Sequence, residues 1–337
     1  MANIVLLYKC NLHCSYCFAN EFVNKKTDMI SFENFLKAYH FIQQTPKERM
    51  GLIGGEPTLH PDFARMIEFL NSENKKEKFK IPIQIFTNGI ELDKYMDLFR
   101  KGNYAFLINC NSPENIGETN YKRLRENIRL LEKYYSKKFI IGINLYSNQM
   151  NYDYIFDILK DVKKKVLRLS LTVPNDASKK TPSLENAFGV NKEFLFGLIK
   201  KCKENNVTPF YDCNTFVTCL VDKEDIKLIK SFPTRFNMLC YSACCPIIDI
   251  LPDLKAIRCF GLSEYLKVPI SDFKDVPELR EFFETEIDYY AKSLPTFEQC
   301  KGCKSLKSQH CYGGCLSYKI DKIDKFKQYC NEFVEKI

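Results

Sequence analysis

The sequence predicts an α/β fold: a partial (βα)6 TIM-like barrel over residues 1–205, a bridging segment over 206–237 and a cysteine-rich C-terminal domain over 238–337. Three observations predict it. Apolar strand-like runs alternate with amphipathic helix-like runs through the first two thirds of the chain, the pattern of parallel strands joined by crossover helices. The segments of unusual composition fall just after strands, the end at which such folds carry their chemistry. After about residue 205 the alternation fades and cysteines crowd in.

The elements follow in order. NIVLLY (Asn3–Tyr8) reads as the first strand, and SFENFLKAYHFI (Ser31–Ile42) as a helix capped by Ser31. MGLI (Met50–Ile53) is a short strand, and PDFARMIEFL (Pro61–Leu70) a helix opening on proline. PIQIFT (Pro82–Thr87) and AFLIN (Ala105–Asn109) are strands with the helix LDKYMDLFRK between them. Leu124, Ile128, Leu131 and Tyr135 fall on one face of the next helix. FIIGINL (Phe139–Leu145), a helix near Tyr152–Val162, and VLRLSLTV (Val166–Val173) complete six units. CNLHCSYC, GGEP, TNG and NCN follow strands one to four and so share one rim.

The 337 residues are 45% apolar and 27% charged, a soluble, globular composition. The early apolar run from Ile4 is far short of the roughly 18 residues of a membrane span. No export signal precedes the first strand, so the chain is expected in the cytoplasm, where cysteines bind metal or do redox chemistry rather than form disulfides. The net charge of +8 reads first as a lysine-rich solvated surface, and second as a basic face for an acidic partner. No nucleic-acid signature accompanies it, and neither a nucleic acid nor a membrane is expected as a partner.

CNLHCSYCF (Cys10–Phe18) brings three thiols together and supplies no fourth nearby. A closed zinc site takes four protein ligands. A cubane cluster has four irons, each normally held by one thiolate, so three cysteines leave one iron for a small molecule. This C-x3-C-x2-C after the first strand, with Tyr16 before the third cysteine and GGEP (Gly54–Pro57) after the second strand, resembles the radical S-adenosylmethionine (SAM) superfamily. The resemblance implies that Cys10, Cys14 and Cys17 ligate a [4Fe–4S] cluster whose fourth iron is chelated by SAM. It implies that backbone at Gly54 and Gly55 approaches the SAM amino group, and that Glu56 accepts a hydrogen bond from that ammonium. Reductive cleavage of SAM would give methionine and a 5′-deoxyadenosyl radical. Tyr16 would sit near the adenine, Asn109, Asn111 or Asn144 would meet the ribose, and Leu171 would pack on the adenine.

From Cys240 onward nine cysteines follow. CKGCKSLKSQHCYGGC (Cys300–Cys315) with Cys330 resembles the SPASM domain that follows many radical SAM barrels, and PDLKAIRC (Pro252–Cys259) resembles its upstream half. Leu254 stands where that family usually has glycine, and the gap from Cys303 to Cys311 is longer than usual. The resemblance implies two auxiliary [4Fe–4S] clusters. Cys240, Cys259, Cys315 and one of Cys244 or Cys245 would hold the first; Cys300, Cys303, Cys311 and Cys330 would hold the second. A structural zinc domain using the same thiols is the alternative. Cys110 and Cys202 read as core. Cys213 and Cys219 read as hydrogen-atom donors to a substrate radical or as replacement auxiliary ligands.

The function these resemblances imply is an oxidoreductase-like peptide or protein maturase that crosslinks, epimerises or oxidises its substrate. Its electron donor would be a flavodoxin or ferredoxin. The chain begins almost at the first strand, so peptide recognition would fall to a separate protein. The alternatives are dehydrogenation of a small molecule, such as an aminoglycoside-type sugar, and a non-catalytic iron–sulfur or zinc protein.

Overall fold

A computed structural model describes residues 1–17, 19, 22–76, 82–172, 190–212, 216–233 and 244–334; the side chains of 329–334 lie outside this description. Its centre is one sheet. The strands are β1 (Ala2–Val5), β2 (Met50–Ile53), β3 (Ile83–Thr87), β4 (Tyr104–Asn109), β5 (Phe139–Leu145), β6 (Val166–Leu171), β7 (Thr208–Tyr211), β8 (Ile248–Ile250), β9 (Lys255–Ile257) and β10 (Val268–Pro269). Their spatial order is β10-β9-β8-β1-β2-β3-β4-β5-β6-β7. From β8 to β7 every neighbouring pair is parallel. β9 and β10 turn back antiparallel on the β8 edge. With β10 and β7 at its two ends, the sheet is an open, partial barrel.

Parallel strands buried on both faces need continuous apolar sequence. β1 is buried at all four positions, and Ile4 sits at 0% exposure in the main core with Phe35, Ile42 and Leu52. Helices on the outer face cover it. Ser31 caps the helix Phe32–Gln43 by accepting from Asn34 N at 3.1 Å, as its sequence predicts. The next helix begins at Phe63, two residues after the proline expected to open it. The interval expected as one helix over Leu92–Lys101 is a 3-10 turn, Leu92–Tyr95, leading into a short helix, Met96–Phe99.

Two features lie beyond the six expected units. β7, within the segment expected as a bridge, pairs with β6 and adds a seventh barrel strand. β8, from the cysteine-rich stretch, pairs with β1 in register Ala2↔Ile248 to Ile4↔Ile250. The C-terminal region is therefore an extension of the barrel sheet on the side that carries the first cysteine loop.

Candidate active site

The loop after β1 is held from three directions. Asn24 fastens its start: it accepts from Cys10 N through Oδ1 at 2.8 Å and donates from Nδ2 to Leu12 O at 3.1 Å. From the end of β3, Asn88 Nδ2 donates to Asn11 Oδ1 at 2.7 Å. From the end of β4, Asn111 Oδ1 accepts the Tyr16 hydroxyl and lies 3.8 Å from Cys14 Sγ. Tyr16 stacks on Tyr146 with ring centres 4.4 Å apart. The TNG and NCN segments thus support the cysteine loop by asparagine contacts.

Cys10, Cys14 and Cys17 are half-buried and feel one another's charge. Burial pushes the Cys10 thiol up to about 12; Leu12 N, donating to its sulfur at 3.4 Å, opposes this, while Glu56, Cys14 and Cys17 add to it. Burial likewise raises Cys14 and Cys17. Such thiols lose their protons when a metal supplies the positive charge. Three soft thiolate donors on one loop fit a [4Fe–4S] cluster, in which each takes a different iron.

GGEP follows β2 and lies against the backbone that leads into this loop. Gly55 N donates to Leu7 O at 2.8 Å and Glu56 N to Lys9 O at 2.9 Å. A Cβ at Gly54 would stand 2.4 Å from Leu7 O, and one at Gly55 2.2 Å from Lys9 O. The close approach these glycines permit is to the chain's own backbone. Glu56 is fully buried. Its Oε1 accepts from Thr58 N, Thr58 Oγ1 and Thr87 Oγ1 at 3.2, 2.7 and 2.8 Å, and its Oε2 from Asn88 N at 2.8 Å. Burial raises its pKa against these four donors. The carboxylate joins the ends of β2 and β3, and Oε2, with one donor, keeps a lone pair for another.

The asparagines of β4 and β5 share a partner that sequence reasoning missed. Arg168 on β6 donates from Nη1 to Asn109 Oδ1 at 3.3 Å and to Asn144 Oδ1 at 3.2 Å. Its Nε donates to Asp212 Oδ2 at 2.8 Å, just past β7. Gly142 makes the crossing possible, since a Cβ there would meet Arg168 Cδ at 3.0 Å. The available signal was an arginine inside the apolar run VLRLSL. Leu171, at 1% exposure, belongs to the core. Cys110 and Cys202 are buried as expected.

The C-terminal cysteines form two groups. Cys259 is raised to about 12 by burial, with Cys244 and Cys315 among the charges acting on it. Cys315 is also raised by burial, and its sulfur lies 3.1 Å from Ser317 Oγ. Cys244 is the half-buried member of its pair, and Cys245 is exposed. In the second group, Gly313 N donates to Cys311 Sγ at 3.4 Å, and a Cβ on Gly313 would meet Cys300 Sγ at 3.2 Å. Cys303 N donates to Cys300 O at 3.1 Å. Burial raises the Cys219 thiol, and Cys311, Cys300 and Cys303 add to that rise, so Cys219 belongs beside this group. Lys319, at 0% exposure, lies near both groups: its Nζ donates to Ala291 O at 2.7 Å, and burial pulls its pKa down to about 8 against Cys300, Cys311 and Cys315. Cys213 and Cys240 lie outside the described residues, as does the Cys330 side chain, although Cys330 falls within the helix Ile320–Val334.

A family model described as the Radical SAM superfamily matches residues 4–147, the span holding the first cysteine loop, GGEP and strands β1 to β5. Over those residues the chain is similar to the radical SAM superfamily. It is 27% identical over 213 residues to the 7-carboxy-7-deazaguanine synthase of Aquifex aeolicus, covering 61% of this chain and 80% of that protein. It is 31% identical over 94 residues to the 7,8-dihydro-6-hydroxymethylpterin dimethyltransferase of Methanocaldococcus jannaschii, covering 27% of this chain but 18% of that one. In fold it is similar to Streptococcus suis SuiB, solved bound to its precursor peptide SuiA, with a TM-score of 0.62 at 13% identity over 95% of this chain and 72% of that one. A radical SAM fold implies a [4Fe–4S] cluster used with SAM, and the C-terminal cysteines are consistent with a SPASM-type domain. No helix among the described residues is long and apolar enough to cross a membrane.

Proposed function

We propose that this radical SAM enzyme modifies a peptide or protein, with Cys10, Cys14 and Cys17 holding the [4Fe–4S] cluster to which SAM binds. The observation that carries this reading is the joining of the three-thiol loop to GGEP by the Gly55–Leu7 and Glu56–Lys9 hydrogen bonds at the ends of β1 and β2. When bound, the cluster supplies the electron that cleaves SAM and so generates a radical able to take hydrogen from an unactivated carbon. The protein's own part is to hold and orient. Asn24, Asn88 and Asn111 fix the loop, and Glu56 Oε2 offers its remaining lone pair to the SAM ammonium. Tyr16 is assigned to the adenine, and Asn109, Asn111 and Asn144 to the ribose, with Arg168 orienting Asn109 and Asn144; Leu171, buried in the core, is given no SAM contact. The electron comes from a flavodoxin- or ferredoxin-type donor.

We assign Cys244, Cys259 and Cys315, with Cys240, to one auxiliary cluster. Cys300, Cys303 and Cys311 belong to a second, with Cys330 or Cys219 completing it. Cys219, exposed and near enough to these thiols to feel their charge, is assigned to this group either as a ligand or as a hydrogen donor. A peptide substrate is supported by the likeness of fold to SuiB, which runs through the cysteine-rich region as well as the barrel. A small-molecule substrate is favoured by the names of the sequence relatives, a deazaguanine synthase and a pterin dimethyltransferase.

Anaerobic protein given SAM and dithionite should release 5′-deoxyadenosine, and Cys10→Ala should abolish it; release by neither would contradict the enzymatic reading. Co-expression with short peptides encoded beside the gene, followed by mass spectrometry, separates the substrate classes. A mass change in a peptide that requires Cys10 supports peptide maturation. Unchanged peptides, together with a sugar or nucleobase product, would favour the small molecule.

A further inference from the structure

Arg258 is 2% exposed and one of the largest fully buried side chains of the molecule. It immediately precedes Cys259, just past the end of β9. Its Nε donates to Asp288 Oδ1 at 2.7 Å and its Nη2 to Asp288 Oδ2 at 2.8 Å, a two-pronged contact that fixes the plane of the guanidinium. Asp288 closes the π-helical turn Glu284–Asp288 and is itself 2% exposed. Lys292 Nζ lies 3.1 Å from Asp288 Oδ2. The other side of the fork faces the thiol group: Nη1 donates to Cys259 Sγ at 3.7 Å and Nη2 to Cys244 O at 3.4 Å.

Asp288 is shared between Arg258 and Lys292, and Asp249 also lies within the field of Arg258 with its pKa raised to about 7 by burial. The Nη1 N–H is the part of the fork directed at the thiols, through Cys259 Sγ. A buried ion pair alone adds little stability over well-packed apolar residues. This one has a second effect, on whatever negative charge the thiols carry. Reduction of a cluster adds one electron to a centre already negative, and a fixed N–H donor with a full positive charge stabilises that form. Potentials of such centres follow net charge and hydrogen bonds to sulfur.

We propose that Arg258, positioned by Asp288, raises the reduction potential of the auxiliary iron–sulfur centre held by Cys244, Cys259 and Cys315. The inference rests on reading those thiols as cluster ligands. One electron enters from the flavodoxin- or ferredoxin-type donor, no proton moves and no bond is broken. Arg258 is a positioning residue that acts through the cluster's charge.

The test is an EPR-monitored redox titration of the full-length, anaerobically reconstituted protein, reading the signal that SAM does not perturb, with iron counted per chain. In Arg258→Met, iron content should match that of the unsubstituted protein, and the auxiliary centre should become about tenfold harder to reduce, or about 59 mV lower for a one-electron couple. Arg258→Lys keeps the charge and should recover part of the shift. Arg258→Met leaves the Asp288 carboxylate buried without its main partner, so Arg258→Met/Asp288→Asn serves if the single variant misfolds. Iron retained with an unchanged potential would overturn the proposal and leave the cluster reading standing. Loss of the centre in all three variants would reduce Arg258 to a structural part and overturn it as well. Cys259→Ala is the control: if it leaves iron content unchanged, those thiols hold no cluster and both the reading and the proposal fall.

Discussion

At the scale of single residues, two side chains bear more than the sequence suggested. Asn24 sits at φ 58°, a left-handed conformation that asparagine tolerates better than most residues, and spends both ends of its amide on the first cysteine loop. Asn24→Ala removes both hydrogen bonds and keeps the awkward backbone. It should cost about 1–3 kcal/mol, seen by denaturant unfolding, and loosen iron at Cys10, Cys14 and Cys17, seen as iron lost on gel filtration. Unchanged iron retention would show that the loop needs no such fastening. Leu254 occupies the position where the SPASM pattern carries glycine, and it too is left-handed, at φ 64°, in the turn between β8 and β9. The departure in sequence thus preserves the backbone shape at the cost of strain. At an ordinary buried leucine, glycine is a worse replacement than alanine. Here Leu254→Gly should be more stable than Leu254→Ala by about 1 kcal/mol, because alanine retains the left-handed penalty. Thermal unfolding of the two variants decides it, and the reverse order would contradict the account.

At the scale of elements, the thiols and the glycine motif were legible because metal ligands and tight turns demand particular residue types at fixed spacing. The strands of the barrel were legible because a strand buried on both faces must be apolar throughout; Met50–Ile53 and Phe139–Leu145 agree with their sequence spans end to end. What stayed hidden was pairing over long sequence separation. Nothing local marks Arg168 as the partner of Asn109 and Asn144, and nothing local says that Ile248–Ile250 pairs with β1. The β1–β8 seam carries a testable charge. Asp249, at 3% exposure, accepts from Asn3 Nδ2 at 2.7 Å, and burial raises its pKa from 3.8 to about 7. The folded chain therefore holds this proton more tightly than the unfolded chain. The resulting stabilisation is complete below pH 3.8 and is lost as pH rises to about 7, falling by up to about 1.4 kcal/mol per pH unit. Asp249→Asn should unfold at nearly the same temperature as the unsubstituted protein at pH 4 and at a higher one at pH 8. An equal difference at both pH values would show that Asp249 does not titrate in this way.

At the scale of the whole molecule, one sheet joins both kinds of cysteine site. β1 leads into the first loop; β8, hydrogen-bonded to β1, and β9, hydrogen-bonded to β8, lie between Cys244 and Cys259. A path of paired strands therefore runs between the first cysteine loop and the C-terminal thiols. If the C-terminal thiols hold the proposed clusters, stripping the metal should soften the β1 edge. The interleaving of Cys244, Cys259 and Cys315 with Cys300, Cys303 and Cys311 ties distant segments together, so metal binding and folding of this region are expected to be linked. The central claim is narrower: three thiols leave one corner of a [4Fe–4S] cluster for SAM. Its most direct measurement is the EPR spectrum of the dithionite-reduced protein before and after SAM is added. The account predicts a signal, absent from Cys10→Ala, that changes when SAM arrives. A spectrum in which no Cys10-dependent signal responds to SAM would contradict it.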